Sequence, residues 1–214
     1  MPAKVAITLA GEPVELHAGR ALYWLRRQRL LIADLHLGKA DVFRRAGIGL
    51  PRGGTSHDLE RLTQLIDATG AVQLWILGDV LHGPSNDTAW QDSWRIWRAR
   101  HGGVRVAALI GNHDRALTRA GLGIELMGEA VDDAPFALRH HPHAHPSLHV
   151  LCGHVHPRVS LPGLRGARLP AFWLQPGITV LPAFSEFTGG VLVAPAAGEQ
   201  LAICAGESIV WVNA

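Results

Sequence analysis

Five times along this chain a short apolar run stops at a cluster of Asp, Asn, His or Gly. Leu30–Ala33 leads into Asp34-Leu35-His36, and Leu74–Leu77 into Gly78-Asp79. Ala108–Ile110 leads into Gly111-Asn112-His113-Asp114, Ala137–Arg139 into His140-His141-Pro142, and Val150–Cys152 into Gly153-His154-Val155-His156. Short continuous apolar runs suit strands covered on both faces. In α/β folds, ligands bind where strands end at their carboxyl termini. Five such ends can meet at one polar site, and few arrangements other than a layered α/β fold would bring them together.

Further strands are expected at Val5–Leu9, Ala21–Leu25, Phe172–Leu174, Ile178–Leu181, Gly190–Val193, Leu201–Cys204 and Ile209–Val212. Two segments have helical periodicity. In Ser56–Ala68 the residues Leu59, Leu62, Leu65 and Ile66 share a face after a Thr55/Ser56 cap. In Thr88–Arg100, Thr88 and Gln91 form a capping-box pattern. There Trp90, Trp94 and Trp97 make a stripe that suits either core packing or a base-stacking surface. Strand and helix alternate in the first half, and strands dominate the last third, so an α/β sandwich of sheets flanked by helices is expected. At 214 residues, 48% of them hydrophobic, the chain fits one well-buried domain over 1–214.

Thirteen residues are histidine, the commonest side chain in metal ligation and in acid–base catalysis. The formal net charge is only +2, so nucleic-acid affinity can rest only on local patches. Arg26, Arg27 and Arg29 form one such patch. Arg44, Arg45 and Arg52 form another, in the loop after Asp34-Leu35-His36, where Arg44 is a candidate substrate contact. The two cysteines, Cys152 and Cys204, lack metal-site or disulfide spacing and read as reduced core residues. No run is long enough to span a bilayer, and the N-terminus lacks a signal-peptide pattern, so a cytoplasmic protein is expected.

Alone, each polar cluster has an ordinary reading as a cap, a turn or a surface histidine. Their chemistry is nevertheless complementary. Asp34 and His36, two residues apart, can point to the same side. Gly78 lets the backbone turn tightly at Asp79, whose carboxylate can bridge two ions. Asn112 offers a neutral oxygen, and His113 is placed to act on substrate with Asp114 able to orient it. One of His140 and His141 should be a ligand, and position directly after the strand favours His140. His154 and His156 form a pair suited to two adjacent metals. His82 is a further candidate, either for contact with substrate or for support of Asp79. Oxygen and nitrogen donors without thiolate favour Mn, Fe or Zn.

The ordered set Asp-x-His, Gly-Asp, Gly-Asn-His-Asp, His and Gly-His-x-His resembles the calcineurin-like metallophosphoesterase superfamily. The wider text, Asp34-Leu35-His36-Leu37-Gly38-Lys39, Gly78-Asp79-Val80-Leu81-His82, Gly153-His154-Val155-His156-Pro157 and Pro182-Ala183-Phe184, resembles the bacterial DNA-ligase-associated members. The resemblance implies a four-layered αββα sandwich with two mixed sheets and a dinuclear centre, with manganese as the assay metal. It implies Asp34, His36 and His156 on one ion, Asn112, His140 and His154 on the other, Asp79 bridging them, and His113 with Asp114 as catalytic residues. The implied reaction is phosphodiester hydrolysis by a hydroxide between the metals, on 2′,3′-cyclic nucleotides or nucleic-acid ends, in association with repair ligases or helicases. The alternatives are a catalytically silent scaffold and a lipid or nucleotide pyrophosphate hydrolase of the same superfamily.

Overall fold

The computed structural model describes residues 3–45, 47, 54–82, 89–160 and 166–213; Arg52 and Thr88 lie outside them. Strand pairing divides the chain into two mixed sheets. The first carries β1 (Lys4–Leu9), β2 (Glu12–His17), β3 (Ala21–Trp24), β4 (Arg29–Ile32), β5 (Gln73–Ile76), β6 (Arg105–Ala108) and β7 (Glu125–Leu126), in sequence order. β1 to β4 form an antiparallel meander, and β5, β6 and β7 then add parallel to β4. The second sheet has the order β15-β14-β12-β13-β10-β9-β8. Its strands are β8 (Ala130–Asp133), β9 (Phe136–Arg139), β10 (His149–Cys152), β12 (Arg168–Gln175), β13 (Ile178–Val180), β14 (Gln200–Ala205) and β15 (Ser208–Asn213), and β11 (Arg158–Ser160) pairs with β12 at its side. Here β9, β10 and β13 run parallel.

Alternation along the strands builds the layers. Leu30, Ile32, Leu74 and Ile76 face the helices α2 (Gly54–Thr69) and α3 (Ala89–Arg100), meeting Leu59, Leu62, Leu65, Trp90, Trp94 and Trp97. Leu31, Ala33, Trp75 and Leu77 face the other way and pack on Phe136, Leu138, Leu151, Phe172 and Leu181 of the second sheet. Both faces of the central strands are thus buried, which is why they read as unbroken apolar runs. The tryptophan stripe is core: Trp94 is 1% exposed, and its indole N–H donates to the Leu122 carbonyl. Both cysteines are free and buried.

The sandwich of two mixed sheets is the expected fold, with three differences in detail. All three α-helices of the described residues, counting the short α1 (Lys39–Arg45), belong to the first sheet's side, where α2 packs on α3 and α1 on α2. The outer face of the second sheet is closed by small clusters of its own, such as Ala137, Val150, Cys152 and Val180. Helix α2 begins at Gly54, so Thr55 and Ser56 lie inside its first turn instead of capping it; Gly54 brings the chain close to the Phe187 ring, where a side chain would collide at 2.7 Å. Gly190–Val193 is not a strand but a single bridge, Leu192 to Arg158, because this segment leaves the sheet to pass against His156.

Candidate metal centre

The site forms where β4 and β5 end. Their pairing continues past the strand ends: Asp34, His36 and Leu37 N–H groups donate to the carbonyls of Gly78, Asp79 and Val80. This holds the first two clusters side by side. Asp34, His36, Asp79, His154 and His156 all have left-handed backbones, with φ between 49° and 68°. For residues with a Cβ this conformation costs on the order of 1 kcal/mol each. Five strained residues at one place imply a requirement other than folding.

Asp34 is fully buried. Its Oδ2 accepts the His154 N–H at 3.0 Å, while Oδ1 stands 3.3 Å from His156 Nε2. Gly153 makes this approach possible, since a Cβ there would sit 2.6 Å from Asp34 Oδ2. Asp34 Oδ1, both ring nitrogens of His36, and His156 Nε2 are buried with no hydrogen-bond partner among the described residues. A buried polar atom left unpaired costs about 1–3 kcal/mol. Four such atoms in one place fit a cation, and Asp34, His36 and His156 converge tightly enough to hold one. Burial pushes the His36 imidazole down to about 2, with the Lys39 ammonium adding to the shift, so His36 is kept in the neutral form that ligates metal.

A second group lies beside the first. His140 Nδ1 lies 2.9 Å from the Leu77 carbonyl, an acceptor, so in the neutral ring Nδ1 carries the proton. Its Nε2 then presents a lone pair 2.9 Å from Asn112 Oδ1, 3.2 Å from His154 Nδ1 and 3.6 Å from Asp79 Oδ1. Acceptor atoms facing one another at these distances fit a cation better than a proton network. His140 is 2% exposed, and His141 packs against His154 at 4.1 Å between ring centroids; His140, His141 and His154 all lie within reach of a common ion. Asp34, Asp79 and His140 also lie within reach of a common ion, which places Asp79 between the two groups.

His113 reaches toward the centre from the rim. Its backbone N–H donates to Asp79 Oδ1 at 3.0 Å, and its Nε2 stands 3.9 Å from Asp79 Oδ2 with the side chain 45% exposed. Asp114 does not act on the His113 ring as expected. Its two carboxylate oxygens accept the N–H groups of Leu81 and Gly111, each at 2.9 Å. It therefore ties the loop after Asp79 to the loop that carries Asn112 and His113. Burial raises the Asp114 pKa, and these amide bonds oppose the shift.

His82 stacks on Phe43 and on His113 and lies edge-on to His36. Burial, then the Lys39 charge, lowers its pKa to about 4. Arg44 is half-buried on α1, the helix that follows His36. Sequence reasoning did not single out Phe43, which stacks on His82, or the buried Lys39. It also missed the support behind Asp34. There Arg20 and Arg61 donate to the Phe184 carbonyl, Arg20 also to that of Ser185, and the Phe184 and Ser185 amides donate to the Ala33 and Asp34 carbonyls.

A sandwich of two mixed sheets with Asp/His groups gathered at the strand ends could hold two adjacent metal ions, as a two-metal hydrolase requires. Residues 29–174 match the family model described as calcineurin-like phosphoesterase. The chain belongs to that family and is a metal-dependent phosphoesterase; the family uses a dinuclear centre of divalent ions, and the Asp/His groups here could hold metal. It is similar to the nuclease MPE of Pseudomonas putida, with 38% identity and a TM-score of 0.82, over 94% of this chain and 97% of that one. The phosphoesterase Yfce of E. coli is more distant, with 19% identity and a TM-score of 0.49 over 86% and 97% of the two chains. No curated protein matches by sequence.

Proposed function

We propose that the chain hydrolyses phosphodiesters of nucleotides or nucleic-acid ends, including 2′,3′-cyclic nucleotides, with two manganese ions. The observation that supports this reading is two adjacent clusters that could each hold an ion, Asp34/His36/His156 and His140/His141/His154, with Asn112 Oδ1 against His140 and with Asp79 in reach of an ion shared with Asp34 and His140. The 38% identical relative is a nuclease, and this favours diesters over monoesters. The setting that fits such an activity is cytoplasmic nucleic-acid repair beside a ligase or helicase, as the subfamily resemblance implies. No described helix is long and apolar enough to cross a membrane.

Bound divalent cations supply Lewis acidity toward phosphoryl oxygens and lower the pKa of water to near neutrality. The protein's own residues do the rest. Asp79 and Asp34 bring negative charge to the cations, and each is oriented by a backbone amide. His36 and His140 stay buried and aligned. His113 Nε2, exposed at the rim, is the proton carrier for the leaving oxygen. His82 and Phe43 form a flat wall beside it for the substrate's phosphate and sugar.

The test is hydrolysis of bis-p-nitrophenyl phosphate by the Mn²⁺-loaded protein, beside 2′,3′-cAMP and p-nitrophenyl phosphate. Diester and cyclic nucleotide should turn over, and Asp79→Ala should lower the rate roughly 10²–10³-fold, as expected when several kcal/mol of metal-borne charge stabilisation is lost. Undiminished activity in Asp79→Ala, or turnover of the monoester alone, contradicts the proposal. Wild-type protein with no activity at all would instead be the scaffold.

A further inference from the structure

The ring contacts around the centre fall into two sets. Phe43, His82, His113, His36 and His156 touch one another on one flank. His140, His141, His143 and His154 touch one another on the other. The leaving oxygen belongs to the first flank, where His113 stands at the rim. On the second flank a cavity of about 380 Å³ opens directly beside the centre, because Asn112 and His140 form part of its wall. Ile110, Ala130 and the imidazoles of His141 and His143 line it as well, with 5.8 Å between the two ring centroids. Pockets for small organic ligands start at about this size, roughly 300–1,000 Å³.

A phosphodiester carries two organic substituents. One departs on the His113 side. The other keeps the phosphate and has to pass out of the centre elsewhere, and the cavity adjoining Asn112 and His140 offers it a place. What the walls present decides which ligand fits. Arg139 brings the one guanidinium among the described lining residues, and both its amino groups are engaged: Nη1 donates to the Val131 and Leu138 carbonyls, and Nη2 to the Asp132 carboxylate. Glu129, also in the wall, is exposed and makes no ion pair among the described residues. A second phosphate would meet an engaged cation and an open carboxylate. A flat neutral ring is suited far better: imidazole faces stack on it, Ile110 and Ala130 give it apolar contact, and a carboxylate accepts the N–H groups along the edge of a base.

We propose that this cavity is a nucleobase subsite, in which the nucleoside that keeps the phosphate lays its base on the His143 ring beside His141 and Ile110. This rests on the reading of the centre as a nucleotide phosphodiesterase site and names the part of the substrate that is recognised outside it.

The probes are 3′-AMP and 5′-AMP, the two forms in which a nucleoside can keep the phosphate, and glycerol 2-phosphate, a phosphomonoester without a base. Each is titrated calorimetrically into the Mn²⁺-loaded protein. At least one nucleotide should bind about tenfold or more tightly than glycerol 2-phosphate, the scale expected for one base stacked on a side-chain ring. His143→Ala should lose most of that advantage while binding glycerol 2-phosphate as before, and His143→Phe, which restores a flat ring, should keep it. Ala130→Phe, which fills the cavity from β8, should lose it too. Equal affinity for all three ligands overturns the inference, as does a nucleotide advantage that persists in full in either His143→Ala or Ala130→Phe, or binding of none of the three. In each case, turnover of bis-p-nitrophenyl phosphate by the same loaded protein leaves the phosphodiesterase reading standing, and absence of turnover removes both.

Discussion

At the scale of single residues, the site depends on side chains whose charge is answered from one direction only. Asp114 shows how such a residue can serve without touching the chemistry. Both its oxygens accept backbone amides, and it is 1% exposed. Asparagine offers one acceptor where aspartate offers two, so Asp114→Asn leaves the Leu81 or the Gly111 N–H unpaired in the interior. We expect a loss of about 1–3 kcal/mol of stability. Activity should fall roughly 10–100-fold, as is usual when an orienting partner of a catalytic group is removed. Urea unfolding and diester turnover measure the two effects. A variant with wild-type stability would show that these amides find other partners. The expectation that Asp114 would hold the His113 ring followed from adjacency in sequence. The structure turns its carboxylate toward the two loops because their N–H groups are the donors within reach.

At the scale of elements, the five polar clusters were legible because each ends a strand buried on both faces, and such strands announce themselves as apolar runs. Helix α3 was legible from its tryptophan spacing. Its role was not, since a stripe of aromatics looks the same whether it meets a core or a nucleic acid. Trp90, Trp94 and Trp97 are all at most 5% exposed and pack against β4 and β5. Trp94→Ala should therefore cost about 3–5 kcal/mol of stability. Catalytic constants in the fraction that remains folded should be nearly unchanged. A variant as stable as wild type but impaired in RNA or DNA affinity would return the stripe to the surface. Short elements such as β7, β11 and α1 carry too few residues for any period to emerge. The strand expected at Gly190–Val193 failed for a different reason: its apolar residues are drawn out to a bridge with Arg158 beside His156, a long-range contact that local pattern does not encode. The left-handed backbones of Asp34, His36, Asp79, His154 and His156 were equally hidden, because backbone strain of this kind is imposed by the convergence of chains and not by residue type.

At the scale of the whole molecule, the abundance of histidine has a thermodynamic consequence. Burial lowers the pKa of His17, His36, His82, His141, His149 and His154. In the unfolded chain all six return to about 6.5. Above that value both states are neutral and the histidines do not affect stability. As pH falls below 6.5, the unfolded chain takes up protons that the folded chain refuses, so stability declines until the folded values are reached. Asp58 and Asp114 have the opposite sign. Burial raises their pKa, so their contribution is present at low pH and is lost as pH rises. With six groups against two, the histidines set the direction between about pH 7.5 and 5.5. His36, held down to about 2, remains neutral throughout this window and by itself accounts for a loss of about 1.4 kcal/mol at pH 5.5. The metal-stripped protein should therefore have a lower urea midpoint at about pH 5.5 than at about pH 7.5, with an unchanged slope. Added Mn²⁺ should raise both midpoints, and the higher-pH one more, because a bound metal needs the same lone pairs that protons take. An equal or higher midpoint at the lower pH would mean that the imidazoles gain compensating partners when they protonate. The site would then be less committed to metal than its unpaired nitrogens imply.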